Sequence, residues 1–222
     1  MEFLWDGATL SAIQVTFTLA ICATGISALL GIWLGLKLER HQFKGKSLVI
    51  RINRTLMGVP PVVVGLLTYM LLMRNGPLGF LSLLFTLPGM IIAQTIIITP
   101  IICGTVYASA ERQAPAIRFF GQCIGASPRQ TQSLVRRELK REIYFAIITG
   151  FGRSISEVGA VMLVGGNMKY HTRTMTTAIS LLKSQGIFTE GITLGVVLLL
   201  MAFLLQWGAD FLQRDKREID NY

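Results

Sequence analysis

The chain has 222 residues, of which 52% are hydrophobic and only 15% charged, with a net charge of +9. A water-soluble domain carries roughly a quarter charged residues, so hydrocarbon is the expected main solvent, in line with a mean hydropathy of +0.56. A basic balance can point to nucleic acid, but here lysine and arginine lie in short segments between apolar runs, where loops face anionic lipid and cytosol, and this argues against a nucleic-acid partner.

The first six residues, Met1 to Asp6, are acidic where a signal peptide is basic. The apolar run behind them, residues 11–36, is long enough to cross a bilayer and is expected to stay as a helix, with Trp5 and Trp33 as interface anchors. A second span is expected over 56–73, interrupted by Pro60 and Pro61, and a third over 87–110, containing Pro100. Prolines inside spans either bend helices around a pathway or simply set packing geometry. A fourth span over 143–164 carries Arg153 and Glu157, and a fifth over 192–212 ends at Trp207 and a charged tail. The chain is thus read as one all-α transmembrane domain over 1–222, with about five spans. It leaves no room for a separate ATPase domain.

Sixteen Lys and Arg residues fall in segments 37–54, 111–142 and the tail, against four on the other side: Arg74, Lys169, Arg173 and Lys183. The positive-inside rule then places the N-terminus outside and the C-terminus inside. Cys22, Cys103 and Cys123 are scattered, no C-x-x-C occurs, and the histidines are His41 and His171. No metal site or disulfide framework is expected from that pattern. Gly45-Lys46-Ser47 looks like the end of a phosphate-binding loop, but the first glycine of that motif falls on Arg40 and no strand is expected before it. No ATP-binding loop and no catalytic residue are therefore expected on this chain.

Segment 111–142 is too long for a turn and too charged for a span. Gly125-Ala126-Ser127-Pro128 precedes a basic helix in which Ser127 can cap and Pro128 suits the first position. Arg153 and Glu157, four apart, share one helix face. They either border an anion path or pair with each other to fix packing. Ser154 and Ser156 can donate to an anion or bond back to helical carbonyls. The threonines between Thr172 and Thr177, at the outer end, can hold an oxyanion through hydroxyls or can cap a helix.

In this loop the chain resembles the permease subunits of binding-protein-dependent ABC importers, whose cytoplasmic loop carries a Gly-Ala-Ser core on a short helix that docks in the ATPase. Gly125-Ala126-Ser127 matches the core, and Gln130-Thr131 and Val135 match weaker positions; Phe119-Phe120-Gly121 stands where the family has Glu-Ala-Ala, and Arg137-Glu138 where it has Leu-Pro. The stretches 150–167 and 172–179 resemble the fourth-span signature of tungstate permeases. The resemblance implies a type I importer permease fold and a homodimer in the prokaryotic cell membrane. It also implies two cytoplasmic ATPase subunits and an extracytoplasmic solute-binding protein. The solute is tungstate, or else molybdate, sulfate or phosphate. It assigns ATPase coupling to Gly125, Ala126, Ser127, Arg129 and Val135; side-chain chemistry makes Arg153, Ser156, Glu157, Thr174 and Thr177 the candidates for a translocation path. An ATP-independent channel or secondary transporter is the rival from another class; it has no use for a long docking loop.

Overall fold

The computed structural model describes residues 6–219, without the side chains of 205 and 208–219. Trp5 thus lies outside the described residues. Nine α-helices and one short 3-10 turn follow one another, with no strand among the described residues. They are α1 (Gly7–Arg40), α2 (Lys46–Met57), α3 (Pro61–Leu72), α4 (Leu87–Cys123), α5 (Pro128–Glu138), α6 (Lys140–Ile155), α7 (Gly159–Gly165), α8 (Met175–Ser184) and α9 (Phe188–Ile219).

The frame is the pair α1 and α4. The inner face of α1 is a stripe of small residues: Ala12, Thr16, Ala20, Ala23, Ser27, Gly31 and Gly35. In lipid no hydrophobic force drives helices together, so close backbone approach supplies the attraction, and small residues permit it. A Cβ on Gly31 would meet Ile102 at 2.9 Å, and one on Gly35 would meet the Cys103 carbonyl at 2.8 Å. The opposite face of α1 exposes Ile21, Leu29 and Trp33, as a lipid-facing surface should. A continuous core of Ala23, Ile98, Ile102, Val106, Ala110, Ala114, Val135, Leu139 and Ala146 joins α1, α4, α5 and α6.

Two helices are long and apolar enough to cross a membrane unbroken, α1 and α4. Two bent pairs are together long and apolar enough for a broken span or a re-entrant loop: α2 with α3, at 100°, and α6 with α7, at 59°. The apolar part of α9, Phe188–Leu204, is shorter. The segment expected as one span over 56–73 is therefore two helices meeting at a corner. Val59 and Pro60 each precede a proline, which disfavours helical backbone at both, and Pro60 adopts extended backbone (φ −59°, ψ 125°). Pro100, by contrast, does not break its helix. The helix continues through Pro100 and Pro115, and Asn53 of α2 donates to the Pro100 carbonyl at 3.1 Å.

The third segment outruns its expected end at residue 110. With 37 residues α4 is about 55 Å long, well beyond the ~30 Å of a hydrocarbon core. Residues 111–123, past the end expected for the span, continue the same helix. There Arg118 grips Glu39, at the end of α1, through two hydrogen bonds of 2.6 Å.

Candidate functional site

Two regions carry the chemistry expected from the sequence. The first is the turn between α4 and α5. Gly121 ends the packed part of α4, and a Cβ there would meet the Thr131 hydroxyl at 2.9 Å. Gly125 then reverses the chain at φ +70°, a left-handed conformation that suits glycine. Ser127 caps α5 in a full capping box: its hydroxyl accepts from Gln130 N–H, and the Gln130 side chain accepts from Ser127 N–H at 2.8 Å. Thr131 and Val135 are buried against α4. Arg129 and Arg136 on the other side of α5, with Arg137, are exposed.

Of the five residues assigned to coupling, Val135 thus anchors the helix, while Gly125, Ser127 and Arg129 are exposed and Ala126 half-buried. No atom lies within 4 Å of where a Gly125 side chain would begin, so that surface is open. Phe119, Phe120 and Ile124 around it are exposed apolar side chains, 70%, 57% and 61% accessible, outside the apolar span.

The second region is where the two bent pairs meet. At the break in α6–α7, Glu157 is buried and occupied on three sides. One carboxylate oxygen accepts from Ala160 N–H at 3.2 Å, capping α7, and the other lies 3.2 Å from Arg153. Its carbonyl accepts from the Thr176 hydroxyl at 2.9 Å. A carboxylate at a helix start meets free N–H groups and the positive end of the helix dipole. Beside it α3 packs on α7 at backbone range: a Cβ on Gly65 would meet Ala160 Cα at 2.6 Å, and one on Gly159 would meet Val62 at 2.5 Å. Val62 and Gly65 lie in the first turns of α3, and Gly159 and Ala160 in the first turn of α7. Both short helices therefore start at the same level and run side by side.

The structure gathers the path residues unequally. Arg153 is partly exposed, and Ser156 is exposed, its hydroxyl bonded back to the Arg153 carbonyl at 3.2 Å. With Phe145, Thr149 and Gly152 they form one accessible stripe along the broken span. Thr174 and Thr177 are buried instead, and cap α8 reciprocally. Thr176 bonds to Thr174 as well as to Glu157, and the Met175 N–H donates to Thr16 of α1 at 2.9 Å. These hydroxyls are engaged with protein, so their part in any path is to fix α8 and the break.

Sequence reading missed Gln94. It is fully buried in α4 and donates to the Ser154 carbonyl at 3.1 Å, in the last turn of α6. Its signal was present as a single amide within an apolar run. Thr16 was missed for a plainer reason, since one threonine in a small-residue stripe looks like packing.

Residues 27–218 match the family described as binding-protein-dependent transport system inner membrane component. The chain is 41% identical over 207 residues to the tungstate uptake system permease protein TupB of Peptoclostridium acidaminophilum, covering 92% of this chain and 91% of that one. It is 37% identical to TupB of Campylobacter jejuni, covering 78% and 72%. It is 28% identical to the sulfate transport system permease protein CysW of Escherichia coli, covering 93% and 76%. Among solved structures, a bacterial ABC transporter involved in the import of the acidic polysaccharide alginate superposes with a TM-score of 0.76 at 20% identity, covering 96% of this chain and 81% of that one. That likeness shows the fold. With the family match spanning most of the sequence, the chain belongs to the inner-membrane permease components of binding-protein-dependent ABC transport systems.

Proposed function

We propose that this chain is the permease subunit of an ATP-driven tungstate importer. The observation that carries the solute is the 41% identity to TupB across more than nine-tenths of both chains. Two copies enclose the path, each joined to a cytoplasmic ATPase that binds and hydrolyses magnesium-ATP, and a solute-binding protein delivers the anion from outside. The five spans are α1, α2–α3, α4, α6–α7 and α9, with the N-terminus outside and the basic ends inside. That orientation is supported by the distribution of Lys and Arg and by the projecting end of α4.

The geometry supports a division of labour. The exposed turn at Gly125–Arg129 meets the ATPase. The break at 156–158 borders the path, with Arg153 and Ser156 toward the anion and Glu157 holding Arg153 in place. A neutralised arginine suits transport, because a passing oxyanion is attracted without being trapped. Discontinuous helices at membrane depth are a recurrent feature of transport paths.

The test is ATPase activity of the permease–ATPase complex in liposomes with binding protein and tungstate, molybdate, sulfate or phosphate. Stimulation by tungstate at the lowest concentration is expected. Stimulation by sulfate or molybdate instead would keep the importer and overturn the solute. Uptake without any ATPase would overturn the reading as a whole.

A further inference from the structure

At the basic end of the bundle, α1 and α5 enclose a cleft of about 350 Å³ that neither break reaches. From α1 it is lined by Trp33, Lys37 and Arg40, which follow one another at helical spacing on one face, with Leu36 beside them. His41 borders it just past the helix end, and α5 contributes Gln132 and Arg136, one turn apart. Three cations thus face one cavity, and among the described residues no carboxylate lines it. Glu39, the acidic residue nearest in sequence, is turned the other way onto Arg118. The Lys37 ammonium lies 4.5 Å over the Trp33 ring, whose side chain is 57% exposed.

Like charges gathered without a counter-charge repel one another unless an anion joins them. The depth of the cleft indicates which anion. Trp33 lies about 39 Å along α1 from Gly7, so hydrocarbon ~30 Å thick ends near it and the cations stand at head-group level. Tryptophan belongs at that boundary. A soluble oxyanion gains nothing from Trp33 and Leu36, whereas a phospholipid uses both parts of the site: phosphate on the cations, acyl chain along the apolar wall.

We propose that this cleft is a site for the head group of an anionic phospholipid, which ties the end of α1 to α5. The proposal rests on the membrane-spanning, basic-end-inside reading above. It adds a lipid requirement at the helix that carries the coupling turn. Each Lys or Arg near such a surface contributes about a fivefold attraction, so removing two predicts a loss of about thirtyfold in affinity.

The experiment is native mass spectrometry of the intact, delipidated permease–ATPase complex, titrated with phosphatidylglycerol or phosphatidylcholine. Wild type is expected to bind phosphatidylglycerol in preference, and the Arg40→Gln/Arg136→Gln variant to bind it about thirtyfold more weakly. A charge-matched Lys44→Gln/Arg51→Gln control, outside the cleft, is expected to bind as wild type does. Equal binding by wild type and the cleft variant would overturn the proposal. So would displacement of the lipid by inorganic phosphate at matching concentration, which would assign the cleft to a soluble anion. Loss of the ATPase subunit from the cleft variant would overturn it too, by making the cleft part of the protein interface. Tungstate-stimulated ATPase activity is read separately, so lipid binding without stimulation would count against the importer reading and not against this site.

Discussion

Replacing Glu157 separates the two jobs its carboxylate performs. Glu157→Ala removes the acceptor for the buried Ala160 N–H together with the partner of Arg153. Leaving a buried donor unpaired costs about 1–3 kcal/mol. The ion pair is worth less, about 0.5–1 kcal/mol, because Arg153 is about one-third exposed and solvent screens it. The alanine variant is therefore expected to lose about 1.5–4 kcal/mol. Glu157→Gln keeps a carbonyl where the capping oxygen stands and forfeits only the charge, so its loss should be about 1 kcal/mol. The assay is SDS-titrated unfolding of the solubilised permease, paired with uptake in liposomes. The alanine variant should be clearly less stable than the glutamine variant, and both should transport poorly if Arg153 needs its partner at the path. Equal destabilisation by the two substitutions would refute the capping argument and make the ion pair the main contribution. No effect from either would remove Glu157 from the account.

Three further outcomes follow from the same geometry. Gly125→Leu places a side chain on left-handed backbone at a cost of about 1–2 kcal/mol, and on an open surface; the protein should still insert, while ATP hydrolysis becomes uncoupled from uptake, and normal uptake would sink the docking assignment. Gly65→Val drives a Cβ into the Ala160 backbone at 2.6 Å, where no side chain can yield, so a loss of at least about 1–3 kcal/mol in the unfolding titration and impaired uptake are expected. Arg118→Met leaves the buried Glu39 without its partner, at a cost of about 1–3 kcal/mol, and adding Glu39→Met should restore much of it in a double-mutant cycle.

The parts of this fold that depend on composition alone were legible. Apolar runs announced helices because a segment in lipid must satisfy its backbone internally, and helices do so whatever their partners. The cap at Ser127 was legible for the same local reason: a serine, a proline and a glutamine within four residues determine how that helix begins. The corner at Pro60 was half legible, since two prolines announce a break but not an angle of 100°. The threonines from Thr172 to Thr177 read as an open cluster because a hydroxyl's partner lies on another helix. Only tertiary packing brings Thr16 to the Met175 N–H and the Glu157 carbonyl to Thr176. The full length of α4 was not legible, because residues 111–123 are charged, and charge along a helix that runs on past its apolar part is ordinary solvated surface.

The break at 156–158 is reached from the basic end by two members. One is α6, which follows α5 after a single residue and stops at Ile155. The other is α4, which bears α5 at Gly121 and, 27 residues or about 40 Å away, holds the Ser154 carbonyl through Gln94. α6 is one uninterrupted helix, and α4 stays helical through Pro100 and Pro115 although each removes one backbone hydrogen bond, so the two together set the distance between the α5 turn and the break. The softer parts are those where the regular helix stops and only isolated backbone bonds remain: the corner at Gly58–Pro60 and the three residues at 156–158. Both lie at the start of the packed pair α3 and α7. Displacement imposed at α5 would therefore find its compliant joints at the level of Arg153 and Glu157, and the proposed coupling turn and the proposed anion-facing residues would belong to one mechanical unit although nearly thirty residues separate them in sequence.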